Sequence, residues 1–121
     1  MTDEEKLRRL ERTLDYAGNT HTVADVVGMI REGRAQFWSN GDGHIVTELH
    51  STPLKKMVHY WLIFGELKHC LALEHDINPW AIEQGCSVAT AAGRKGWERV
   101  SAPTGWRPFM PMYVKPLIRM H

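Results

Sequence analysis

Hydrophobic residues recur along the chain with two different periods. Leu7, Leu10 and Leu14 stand at helical spacing among Arg8, Arg9, Glu11 and Arg12, a stripe along one side of a helix. Thr2 followed by Glu5 reads as a capping box at its start, and Gly18 as its stop. The stripe is narrow, so this helix suits docking on a partner as well as packing on its own domain. A second helix opens at Thr22 with Asp25 in its first turn, takes Val23, Val26, Val27 and Ile30 as its core face, and ends at Gly33. From Gln36 the period drops to two. Gln36-Phe37-Trp38 and Ile45-Val46-Thr47-Glu48-Leu49 flank Asn40-Gly41-Asp42-Gly43, a hairpin signal.

After the loop marked by Pro53, Met57 to Phe64 is almost continuously apolar, as in a central strand covered on both faces. Gly65 ends it. Leu67, Cys70, Leu71 and Leu73 predict a helical turn or two, and Asn78 to Gly85 a short helix with a cap, a first-turn proline and a stop glycine. Ser87 to Ala92 predicts a strand of small residues. Gly93-Arg94-Lys95-Gly96 then leads into a short helix over Trp97 to Ser101, closed by Pro103 and Gly105. Met112-Tyr113-Val114 predicts a last strand ending near Leu117. The order predicts an α/β (α+β) domain with a mixed sheet flanked by helices. Residues 1–20 would form an N-terminal helix able to act as a docking arm, and residues 21–121 the domain proper.

Composition narrows the function classes. At 121 residues with 43% hydrophobic and 24% charged positions, the chain can bury one core without staples. Cys70 and Cys86 lie in apolar settings and read as buried free thiols of a protein kept in a reducing cytoplasm. The polar, acidic start is unlike a signal peptide, and no apolar run is long enough to span a bilayer, so no membrane role is expected. The net charge of +1 conceals an uneven distribution. Residues 1–35 balance at −1, residues 36–93 at −3 and residues 94–121 at +5, the last through Arg94, Lys95, Arg99, Arg107, Lys115 and Arg119. That basic end suits an acidic protein surface or nucleic acid, or simply a solvated face.

Candidate chemistry is sparse. His44 and His50, like His69 and His75, are six apart, a spacing that puts no imidazole pair on one helix face. Glu66 and His69 have the three-residue spacing of a helical carboxylate–histidine pair, but no second copy exists, and no metal is expected. Gly85-Cys86-Ser87 lacks the second glycine of a nucleophile elbow, and no phosphate-binding P-loop is present. The turn Gly93, Arg94, Lys95, Gly96 ahead of a helix N-terminus is an anion-site candidate, or equally a tight connection. Trp61 belongs to the central strand, whereas Trp97 and Trp106 frame the basic segment. With Arg99, Arg107 and Lys115 they are the candidate interaction residues.

The second half of the chain carries a resemblance. The central strand, the helix ending in Trp-Ala-Ile-Glu-Gln-Gly-Cys, the strand after it, then Gly-Arg-Lys-Gly-Trp-Glu-Arg-Val, Gly-Trp-Arg-Pro and Tyr-Val-Lys-Pro-Leu together resemble the C-terminal half of the GNAT N-acetyltransferase fold. The chain looks closest to the small GNAT-like proteins of tailed bacteriophages and prophages. The likeness covers roughly residues 21–117. It implies a pyrophosphate-binding loop of the form Gln/Arg-x-x-Gly-x-Gly/Ala after the central strand, where this chain has Gly65-Glu66-Leu67-Lys68-His69-Cys70. It also implies a general-acid tyrosine on the last helix, where Trp97, Glu98 and Arg99 stand instead. Glu48, His59 and Glu66 remain as general-base candidates.

The resemblance and the altered loop together lead to a first expectation. It is a non-catalytic, GNAT-like structural or assembly component of a phage particle, without cofactor, found in the virion or the host cytoplasm. There it would contact other virion proteins, in multiple copies. The alternative is an acetyl-CoA-dependent N-acetyltransferase with a degenerate cofactor loop. A third reading makes residues 94–121 a nucleic-acid contact.

Overall fold

The computed structural model describes residues 2–92, 99 and 102–118. Both N-terminal helices form where capping chemistry places them. In α1 (Asp3–Tyr16) the Thr2 hydroxyl accepts from the Glu5 amide at 3.2 Å. In α2 (Val23–Arg31) the box is complete: Thr22 accepts from the Asp25 amide at 3.2 Å, and Asp25 accepts from the Thr22 amide at 2.8 Å. The second bond holds the Asp25 carboxyl below its usual range, because it favours the charged form.

Then come β1 (Gln36–Asn40), β2 (Gly43–Ser51) and β3 (Lys56–Gly65), two short helices α3 (Leu67–Ala72) and α4 (Glu74–Glu83), and β4 (Val88–Ala91). The sheet order is β1-β2-β3-β4, antiparallel except for the parallel pair of β3 with β4. This is the mixed α/β domain that the pattern predicts.

The sheet separates two cores. One face packs Leu10 and Leu14 of α1 and Val26 and Met29 of α2 against Val46, Leu62 and Phe64. The other packs Cys70, Leu73, Ile77 and Ala81 from α3 and α4 against Ile45, Val58 and Tyr60. The strand β3 thus supplies even-numbered residues to both sides, which a regular strand cannot do. The cause is a β-bulge. Val46 pairs with Leu62 but Thr47 pairs with Tyr60, so Trp61 is an extra residue and the faces exchange across it. The parallel pairing of β3 with β4 ends at Tyr60–Ala91, one residue before the bulge.

Several details depart from the sequence expectation. Val27 is exposed and Met29 is buried in its place. The helix α4 starts at Glu74, well ahead of Asn78, and contains Pro79 in its interior. Asn78 is therefore no cap; its side-chain oxygen accepts from the Tyr60 hydroxyl. Met112-Tyr113-Val114 forms no strand, because the segment around it makes no ladder with the sheet and its side chains stand in solvent. The turn Gly93–Gly96 and the start of the expected helix at Trp97 lie outside the described residues. Cys70 and Cys86 are buried free thiols.

Candidate functional site

Because Val58 and Tyr60 point into the α3–α4 core, His59 between them points to the opposite face of the sheet. Its cross-strand partner on β2 is Glu48, and its partner on β4 is Thr90. Cross-strand partners share a face, so three strands bring three polar side chains together. The His59 ring nitrogen Nδ1 lies 2.9 Å from Thr90 Oγ1. His50, two residues after Glu48, stacks on the His59 ring with centroids 5.1 Å apart, and its Nε2 is 3.6 Å from a Glu48 carboxylate oxygen. Burial is the main cause holding the His59 pKa below the usual histidine value; the nearby His50 adds to that and Glu48 opposes it. At neutral pH His59 is thus an uncharged imidazole. With Nδ1–H donated to Thr90, Nε2 carries a free lone pair.

Trp61, the bulge residue, packs beside the first core and meets the His21 ring edge-on at 4.7 Å. The loop between α1 and α2 thereby comes next to Trp61, two residues along the strand from His59. Two of the three predicted general-base candidates, Glu48 and His59, are neighbours. Glu66 is elsewhere, beyond the C-terminal end of β3 and seven residues, or roughly 23 Å, from His59. His50 and Thr90 complete the cluster and were not legible as site residues, because only strand register shows them to be adjacent. A signal was available in the hairpin pattern, which puts Glu48 and His50 on the same face.

The far end of β3 is closed by the β1–β2 hairpin. The Glu66 amide donates to the Asp42 carbonyl at 2.9 Å, and the Asp42 amide donates to His69 Nδ1 at 3.0 Å. The approach is so close that a Cβ on Gly65 would lie 1.9 Å from the Asp42 carbonyl oxygen, and one on Gly43 2.5 Å from the Cys70 amide. Glu5, Arg9, Asp42 and Glu66 line the shallow hollow outside. On the α3–α4 side of the bulge, Trp106 covers Tyr60, whose ring it meets at 5.2 Å, and its Nε1–H donates to Glu74 at 2.6 Å. The cavity left between Trp106, Tyr60, Ile63, Cys70 and Leu71 is only about 10 Å³.

Trp106, an interaction candidate by sequence, thus spends its ring on the chain's own core. Arg99, Arg107 and Lys115 are exposed, and Trp97 lies outside the described residues. Among the described residues, no three His, Cys, Asp or Glu side chains converge as metal ligands, and no helix is long and apolar enough to cross a membrane.

No family model matches the chain, and no curated protein does. Solved structures do match over nearly its whole length. A probable acetyltransferase superimposes with a TM-score of 0.69 at 10% identity, covering 97% of this chain and 93% of that one. An acetyltransferase of Trypanosoma brucei gives 0.65 at 12% identity with 96% of each chain covered. A ribosomal-protein-alanine N-acetyltransferase of Brucella melitensis gives 0.59 at 12%, covering 93% and 94%. At such identities the likeness defines the fold, and the fold is that of the GNAT-like acetyltransferases.

Acetyl-CoA is the co-substrate this fold implies, and the loop after β3 is where the resemblance puts its pyrophosphate. A pyrophosphate needs free backbone amides and closely approachable backbone. Here the Glu66 amide is engaged by Asp42, and two carboxylates, Asp42 and Glu66, line the hollow. On the α3–α4 side of β3, the space beside Tyr60 and Ile63 is filled by Trp106.

Proposed function

We propose that the protein transfers an acyl group to an amine, with His59 as the proton acceptor. The observation that carries this reading is the cluster of Glu48, His50, His59 and Thr90, set just before the bulge at Trp61. An amine that attacks an acyl carbon must shed a proton as its nitrogen forms the new bond. His59 Nε2 takes that proton, and the Glu48 carboxylate across the strand stabilises the imidazolium that results; the acyl carbon–sulfur bond of a thioester donor then breaks, and the departing thiolate takes up the proton to leave as free thiol. Thr90 holds the ring in the tautomer that leaves Nε2 free. The names of the structural neighbours also support this reading over a purely structural role.

The test is release of free thiol from acetyl-CoA in the presence of amine acceptors. The wild type should release thiol slowly, since Trp106 obstructs the donor. Trp106→Ala should be faster, and His59→Gln should fall by about 10²-fold or more, the contribution typical of a positioned base. If neither the wild type nor Trp106→Ala binds acetyl-CoA by calorimetry at millimolar ligand, the acyl-transfer reading is refuted.

A second reading is favoured by the engaged Glu66 amide and by the space beside Tyr60 that Trp106 fills. In it the fold is non-catalytic and serves in the assembly or structure of a bacteriophage particle, contacting other virion proteins in multiple copies. Finding the protein at fixed stoichiometry in purified particles supports this reading, and normal particles without it refute it. A nucleic-acid role for the basic residues 94–121 predicts binding that weakens steeply with salt.

A further inference from the structure

The segment after Trp106 is strongly apolar, and its described residues stand in solvent. Phe109, Met112, Tyr113, Val114 and Leu117 are between 88% and 93% exposed. Single exposed hydrophobics are ordinary on a protein surface, but a run of them marks a contact site. Within this run Pro111 and Pro116 bracket a proline-free stretch of four residues, Met112-Tyr113-Val114-Lys115. Tyr and Val favour strands, and proline at either end is tolerated only at a strand's margin.

The same chain presents a matching acceptor. The strand β4 is also four residues long and forms the edge of the sheet. Among the described residues, no strand covers its outer side. An uncovered edge of this kind presents a row of amides and carbonyls for another strand to pair with. Val88 on β4 and Ile82 near the end of α4 are exposed apolar side chains nearby in sequence. The charges agree as well. Arg107 precedes the donor stretch and Lys115 ends it, while α4 leading to the acceptor carries Glu74, Asp76 and Glu83.

We infer that Met112–Lys115 of one copy adds as a fifth strand to β4 of a second copy, and that the exchange is reciprocal. A two-fold arrangement of this type closes on itself, uses both edges and leaves neither tail in solvent. The inference does not depend on any catalytic role, because neither Glu48 nor His59 takes part in it.

Light scattering coupled to size exclusion tests the proposal on the full chain. The expected mass at high micromolar concentration is twice 13.9 kDa. Val114→Asp and Tyr113→Pro should return the protein to monomer with an unchanged circular dichroism spectrum, as these side chains have no role in the chain's own core. A second measurement mixes ¹⁵N-labelled and unlabelled protein and treats it with an amine-reactive cross-linker. Cross-links between Lys115 and Lys56, which precedes the β3–β4 pairing, should appear between chains of different isotope. A monomeric wild type overturns the proposal. So does a dimer that survives both substitutions, or Lys56–Lys115 cross-links confined to single-isotope chains.

Discussion

Two histidines show how burial decides what a side chain can do. His44 is 1% exposed, with Nδ1 2.9 Å from Ser39 Oγ and its Nε2 without a hydrogen-bond partner. The less costly tautomer has Nδ1–H donating to Ser39, because a buried N–H left unbonded is worse than a bare lone pair. Burial is the main cause lowering its pKa, as it is for His59. Both groups are therefore neutral in the folded state at pH values where the unfolded chain binds protons. The unfolded state takes up more protons below the ordinary value of 6.5, so stability is full above that pH and declines as pH falls through it. Urea midpoints should drop between neutral pH and about pH 5. His44→Gln and His59→Gln should each flatten that dependence, and an unchanged slope in both would contradict the burial argument.

At the scale of elements, close approach is what fixes the hairpin against the β3–α3 junction. Gly33 and Gly65 both have positive φ, 76° and 100°, but only Gly65 faces a backbone atom within contact distance of a Cβ. Alanine at Gly33 carries the conformational cost alone, about 1 kcal/mol. Alanine at Gly65 also drives a methyl into the Asp42 carbonyl, so it should cost at least about 3 kcal/mol by denaturant titration. Equal losses would show that the hairpin yields freely.

The elements best read from sequence are those with one buried face and clear ends: α2 with its Thr22–Asp25 box, and the hairpin through Asn40-Gly41-Asp42-Gly43. The position of β3 was legible because Met57 to Phe64 is apolar at every position but His59. Its bulge was not, because a strand buried on both sides has no alternation for an extra residue to interrupt. The helix α4 was set too late because Pro79 looks like a first-turn residue. The tertiary contacts of Ile77 and Ala81 instead sustain the helix through it. Of the site, Glu48 and His59 were legible as residue types, whereas His50 and Thr90 needed the register.

At the scale of the whole molecule, the N-terminal helix and the C-terminal segment meet opposite faces of one sheet. Leu10 and Leu14 are buried with β3 residues on one side, and Trp106 packs against β3 residues on the other. The stripe on α1 is thus used by the chain's own core, with Leu7 left exposed at its start. Leu10→Ala and Leu14→Ala should each cost about 2–4 kcal/mol in a single cooperative transition. Separate transitions for α1 and for the sheet would instead make the helix an independent arm.

The extra residue at Trp61 makes β3 a strand written in two phases. Before it, even numbers mean the α3–α4 side; after it, even numbers mean the α1–α2 side. A one-residue deletion there would restore simple alternation and leave Leu62 and Phe64 facing α1 and α2, whereas Trp61 absorbed into the ladder as a regular position would turn both toward α3 and α4 and Ile63 away from them. Trp61 must therefore stay outside the regular ladder for both cores to fill. Both of its interiors are threaded on one strand whose halves must be counted from opposite ends of a single tryptophan.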